Sequence, residues 1–133
     1  MICNTSLNSY RKWFIGNDIR DMLLADTDVF GQVGNNIYPL VAAENTKGDF
    51  IVYMRQKYSK ESVKAGVYED ECEVAVVGIS DNYDDAIKLA SNIDKALTGT
   101  HTVGENIVDI MLYDSTEVFE DNKYIETLIF RIK

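Results

Sequence analysis

The residues able to do chemistry are few and scattered. One histidine, His101, stands in a Thr100-His101-Thr102 segment that reads as a loop. A general base there would need a serine or cysteine nucleophile held against it, and no such pairing is visible in the sequence. A solvated loop histidine is the favoured reading, and a single histidine excludes a multi-histidine metal site. Cys3 and Cys72 are the only thiols; without a secretory leader they do not suggest an oxidised framework. Cys72 lies in an apolar-alternating run, where a buried, inert thiol is expected.

Calcium chemistry is the first reading that the acidic clusters invite. Asp81-Asn82-Tyr83-Asp84-Asp85 opens like a metal loop, but an EF-hand needs an oxygen ligand third, glycine sixth and glutamate twelfth. Those positions hold Tyr83, Ala86 and Asn92, so helix capping explains the aspartates better. Glu69, Asp70, Glu71 and Glu73 form a second cluster at a strand entrance. A loose divalent-ion site and a solvated, edge-protecting charge run are the two readings, and the second is preferred. Gly31, Gly34, Gly48 and Gly66 are too dispersed for a phosphate-binding loop. No catalytic, cofactor-binding or metal-ligating residue is assigned.

The elements that must carry the function are clearer. The 133 residues share one composition, which predicts a single domain able to bury roughly 70% of its unfolded surface. A helix is expected over Ser9–Leu24, with Ile15, Ile19, Met22 and Leu23 inward and Lys12, Asp18 and Asp21 toward water. Gly16 is a weak point inside it. A short turn over Val29–Val33, the turn signal Gly34-Asn35-Asn36 and a brief extended edge Ile37-Tyr38-Pro39 follow. Strands are predicted for Phe50–Lys57 and Glu71–Ile79, separated by a long polar connection, Tyr58–Asp70. That connection reads equally as an assembly arm or as an ordinary loop. A helix from Asn82 to Leu97 should be capped by Asp81 and end at Gly99, with Tyr83, Ala86, Ile87, Ala90, Ile93 and Leu97 as its apolar stripe. Two strands close the chain, Ile107–Tyr113 (extending to Phe119) and Lys123–Ile132, joined at Glu120-Asp121-Asn122. The fold class is therefore α+β: a mainly antiparallel sheet of four to five strands packed by two helices. Apolar residues on both sheet faces leave part of one face for a neighbouring subunit.

The net charge of -9 repels nucleic acid, and Arg55–Lys64 is the densest basic stretch. Specific DNA reading is not expected, although an acidic surface tolerates passing DNA. No stretch approaches a membrane span, and the chain reads as soluble and made in a cytoplasm.

The order of motifs resembles a family. Ile19-Arg20-Asp21-Met22-Leu23-Leu24-Ala25-Asp26 is followed by Val29-Phe30-Gly31-Gln32-Val33-Gly34-Asn35-Asn36-Ile37-Tyr38-Pro39. Phe50–Arg55, Cys72–Val77, the helix through Ala86, Leu89, Ala90 and Leu97, and the closing hairpin Tyr124–Arg131 come after. From Ile15 to the C-terminus this is similar to the tail completion, or tail terminator-like, proteins of long-tailed bacteriophages and prophages. The chain departs from many relatives in lacking a proline-rich loop near Val41–Thr46. The resemblance implies a structural, non-enzymatic virion protein of the tail and neck, assembled in the host cytoplasm. It would form a ring, usually a hexamer, that stops growth of the tail-tube protein and meets the connector proteins of the neck, while DNA passes through. Tyr58, Lys60, Val63, Val67 and Tyr68 of the arm are the candidate subunit interface. Rival readings are another neck component, such as a head-closure or adaptor protein, and a small ligand-binding module using a pocket between helix and sheet. A metal-dependent hydrolase is the remote third.

Overall fold

The computed structural model describes residues 12–62 and 68–133, and the side chains of all of these except 60–62 and 68–70. After a 3-10 turn, Lys12–Phe14, come helices α1 (Ile15–Ala25) and α2 (Thr27–Val33) and strands β1 (Ile37–Pro39), β2 (Phe50–Ser62) and β3 (Tyr68–Ser80). Helix α3 (Tyr83–Leu97) and strands β4 (Gly99–Val103), β5 (Asn106–Glu120) and β6 (Lys123–Ile132) complete the chain. The strands form one six-stranded sheet in the order β1-β2-β3-β6-β5-β4. Every junction is antiparallel except β1 with β2. The expected α+β architecture stands, with one more strand and one more helix than the sequence led us to expect. Among the described residues, no helix is long and apolar enough to cross a membrane.

Several local expectations are corrected. Val29–Val33 is part of a helix, not a turn, because Asp26 caps it: one carboxylate oxygen accepts from the Asp28 and Val29 N–H groups, each at 3.0 Å. Gly34, at φ 60°, then ends the helix in a conformation that suits glycine. Gly16 lies in the first turn of α1 rather than its middle, and an added Cβ would meet Tyr53 Cε2 at 3.3 Å. Lys12 and Asp18 are buried, not turned to water.

In α3 the cap is Asn82, one residue after the expected Asp81; its side chain accepts from Asp85 N–H at 3.1 Å. The helix ends at Thr98, and Gly99, at φ 125°, opens β4 instead of capping. Strand β4 absorbs the expected His101 loop, since its short run pairs with β5 from Gly99↔Ile110 to Val103↔Asn106. The apolar stripe is rotated as well. Leu89 is fully buried with Ala86, Ile93 and Leu97, whereas Tyr83 and Ile87 are exposed.

One core lies between the helices and one sheet face. It gathers Ile15, Ile19 and Leu23 of α1, Val29 and Val33 of α2, and Leu89, Ile93 and Leu97 of α3. The facing strand residues include Ile51, Val74, Val76, Leu128, Phe130 and Ile132. Burial on this scale is the main favourable term in folding. The closing hairpin turns on two residues, Asp121 (φ 53°) and Asn122 (φ 62°), with Glu120 paired to Lys123. Positive φ at both central positions is the type I′ geometry that matches strand twist.

Candidate assembly surface

The connection Tyr58–Asp70 is not a loop across most of its length. Tyr58–Ser62 belongs to β2 and Tyr68–Asp70 to β3, in continuous antiparallel register from Tyr58↔Cys72 to Ser62↔Tyr68. The arm is the far end of a long hairpin. Backbone pairing of Lys60 with Asp70 places two of the candidate interface residues, Lys60 and Tyr68, on its two strands; Val63 and Val67 lie outside the described residues.

Tyr58 is half-buried, because its position opposite Cys72 points it to the helix-bearing side. There it meets a cluster that the sequence reading missed. Trp13 packs edge-on to Tyr58 with ring centroids 5.3 Å apart, and the Arg55 guanidinium sits 4.4 Å over the Trp13 ring. Arg55 also donates to the Trp13 carbonyl at 3.4 Å. Trp13 and Phe14 both remain more than half exposed. A signal was present: two adjacent bulky aromatics cannot both reach the inward stripe of one helix. Exposed Trp, Tyr and Arg together are the residue types that dominate protein interfaces.

The sheet edges are the second feature. Strand β1 pairs with β2 only at Ile51–Tyr53, and Pro39 ends it. Among the described residues, nothing pairs with the outer side of β2 from Met54 to Ser62. At the opposite end β4 stops at Ile110, so among the described residues no strand pairs with the outer side of β5 from Met111 to Glu120. Met111, Tyr113, Val118 and Phe119 on this segment are each at least half exposed. Arg131 stacks on Tyr113 at 3.5 Å. A bulge stands at the head of each bare segment, between Arg55 and Lys57 and between Leu112 and Asp114.

The charges on these strands are largely accounted for by neighbours. Lys57 pairs with Glu71 at 2.7 Å, which lowers the Glu71 carboxyl chiefly through that hydrogen bond, and Arg131 pairs with Glu73 at 3.2 Å. Glu71 and Glu73 of the acidic cluster are thus tied into cross-strand ion pairs, while the side chains of Glu69 and Asp70 lie outside those described. Near the hairpin turn of β5 and β6, Glu117 stands opposite Glu126. Tyr83 donates to Glu117 Oε1 at 3.0 Å, which raises the Tyr83 hydroxyl. Desolvation first, and the hydrogen bond with Glu117 second, push Glu126 up to about 7. Its Oε2 is buried without a partner. Next to this pair in the sheet the Tyr124 ring packs on Tyr83 at 5.5 Å and on Phe119 at 4.7 Å.

A shallow cavity of about 650 Å³ lies on the helical side, between α2 and α3. Gln32 crosses its floor, donating to Asp49 Oδ2 at 3.0 Å and to the Asp85 carbonyl at 2.8 Å, and accepting from Asn92 at 3.1 Å. Ser80 donates to Asp49 Oδ1 at 2.7 Å. These bonds tie α2, α3 and the ends of β2 and β3 together, so the polar groups serve the fold. His101 is part-buried on β4, with Nε2 2.7 Å from the Leu97 carbonyl at the end of α3. Cys72 is buried. Among the described residues, no group of three or more His, Cys, Asp or Glu side chains is placed to hold a metal ion.

No known family profile matches the chain, and no curated protein matches it. Among solved structures, a chain from the virion of a native gene transfer agent particle is similar, with a TM-score of 0.73 and 18% identity. The match covers 86% of this chain and 89% of that one. At that identity the two chains share a fold, a sheet and its helices kept over nearly their whole lengths while most side chains differ.

Proposed function

We propose that this chain is a structural protein of a phage or phage-like virion, acting as a tail terminator. It forms a ring, a hexamer in the closest fit to the family resemblance, on the head-proximal end of the tail tube. There it stops addition of tail-tube protein and offers a surface to the neck connectors. The observation that carries this reading is the fold shared over 86% of the chain with a component of a gene transfer agent virion. The motif order from Ile15 onward supports the finer assignment, and so does the surface. A ring is a heterologous assembly in which each subunit needs two different contact regions. The β5 edge from Met111 to Glu120, which no described strand covers, and the Trp13-Arg55-Tyr58 cluster are the candidates for them. The net charge of -9 suits a ring through which DNA passes.

The test is tube growth. The tail-tube protein from the same genome region is polymerised with and without this chain, and lengths are followed by negative-stain microscopy and light scattering. A ring on one end and arrested growth are expected. Tubes of unchanged length with no bound ring would overturn the terminator role. Tails of normal length that fail to join heads in its absence would instead assign it to head closure or adaptor work in the neck.

A further inference from the structure

We infer that Glu117, Glu126 and Tyr83 form a proton-gated latch, which holds the end of β5 against the start of α3 while one carboxyl carries a proton and loosens it when both are ionised. The latch is a property of the fold and does not depend on the ring reading.

Position comes first. Glu117 and Glu126 stand directly opposite each other in the β5–β6 ladder, and Gly78 lies on the other side of Glu126. A Cβ on Gly78 would meet Leu89 and Ile93 of α3, so this row of the sheet points toward the helices. Like charges directly opposite in a ladder are destabilising. Glu126 Oε2 is also buried with no hydrogen-bond partner among the described residues. A carboxylate oxygen that has lost water and found no donor disfavours the charged form, and one proton relieves it.

The arrangement suits a single shared proton. Tyr83, the first residue of α3, donates to Glu117 Oε1 at 3.0 Å. With Glu117 ionised, its carboxylate accepts from Tyr83 and from protonated Glu126, so no two charges face each other. Burial first, and the bond with Glu117 second, push Glu126 up to about 7, in agreement. Once the proton leaves, two carboxylates oppose each other, and Asp84 beside Tyr83 adds the same sign. Lys123 is already bonded to Asp81 at 2.5 Å. Strand β3 brings no charge of its own to this row, where Gly78 is followed by Ser80, which donates to Asp49.

The end of β5 is the part free to respond. Among the described residues no strand pairs with its outer side beyond Ile110, so it rests on β6 within the sheet and on Tyr83 from the helical side. Strand β6 is paired on both sides and stays in place. A strand end with one neighbour opens locally at lower free energy than the core. The latched state binds more protons than the opened one between the ordinary glutamate value and about 7. Opening therefore grows as pH rises through that window and levels off above it.

The test is residue-resolved amide hydrogen exchange on the full chain from about pH 5 to about pH 8, with the intrinsic exchange rate divided out. Asp109 and Lys133 exchange both backbone bonds, at 2.9 and 2.8 Å. Counting back along β6 by twos makes Thr127 with Thr116, and Ile125 with Val118, bonded pairs as well. The Thr116 and Val118 amides are therefore the reporters. They should open more often than the Val74 and Val76 amides at every pH, and their opening should rise about tenfold across the range after discounting for solvent screening. Glu126→Gln stays neutral and still donates to Glu117, so it should abolish the rise. Glu120→Gln, on the same strand opposite Lys123, should keep it. Tyr83→Phe keeps the ring and loses the bond, and should increase opening at the acid end several-fold. No rise in the parent overturns the latch, and so does a rise that survives in Glu126→Gln or vanishes in Glu120→Gln. Unchanged opening in Tyr83→Phe also overturns it. Equal protection of the reporters and the core amides does the same, because β5 would then open only with the whole fold.

Discussion

Replacing Gly78 by alanine tests whether the close seating of α3 on β3 is what holds the sheet's helical face. A Cβ built on Gly78 stands 3.0 Å from both Cγ and Cδ2 of Leu89 and 3.4 Å from Cδ1 of Ile93. Favourable carbon contacts begin near 3.5 Å, so the new methyl overlaps Leu89 by about 0.5 Å. Leu89 and Ile93 are fully buried and packed among Val76, Phe130 and their neighbours, so neither can swing out to water. Overpacking of this kind costs about 1–3 kcal/mol. Removing glycine from a strand returns about 0.5–1 kcal/mol through the unfolded state. The expected net loss is about 1–2 kcal/mol, which for a chain of this size lowers Tm by roughly 5 °C. Urea and thermal unfolding followed by far-UV circular dichroism would measure it. The coupling is then read in a cycle with Leu89→Ala, which alone costs about 2–5 kcal/mol. In the double variant the methyl enters the space vacated by the leucine, so the combined loss should fall short of the sum by about 1 kcal/mol. Unchanged stability in Gly78→Ala, or simple additivity in the cycle, would refute the packing argument.

Asp26→Ala should cost about 1 kcal/mol, because the side chain caps two N–H groups of α2; a loss within the error of denaturant unfolding would show that the cap is dispensable. Glu126 is pushed up to about 7, so the folded chain binds more protons than the unfolded chain between the ordinary glutamate value and about 7. Its contribution is present at the acid end of that window and lost as pH rises through about 7. After discounting for solvent screening, that loss is about 1 kcal/mol. Glu126→Gln should flatten this part of the Tm–pH curve, and an identical slope in variant and parent would sink the assignment. Trp13→Ala should change stability by no more than about 1 kcal/mol, since its ring contacts are exposed. The same change should weaken capping of tail tubes, and full capping activity would remove the cluster from the assembly surface.

How much of this was legible in the sequence depends on whether a feature is local. Phe50–Lys57, the valine-rich run through Val76 and the closing strand were readable because alternation at period two survives in them, and the order of elements follows. The I′ turn at Asp121-Asn122 was readable for the same reason: residues that accept positive φ sit between two alternating runs. Helix α2 was not, because its seven residues depend on a cap at Asp26 and on Val29 and Val33 finding a core made by other elements. The rotated face of α3 is another case. Ile87 and Leu89 are equally apolar, and contact with Gly78 selects Leu89.

The candidate surface divides along the same line. Acidity, the single histidine and the motif order from Ile15 onward are properties of the chain as written. That Tyr58–Ser62 pairs with Tyr68–Cys72, that Trp13 lies against Tyr58 and Arg55, and that β4 stops at Ile110 along β5 were decided only by the tertiary structure. Which strand lies beside which is a long-range choice. It is set by burying Phe130 and its partners between helices and sheet, and no window of neighbouring residues contains that information.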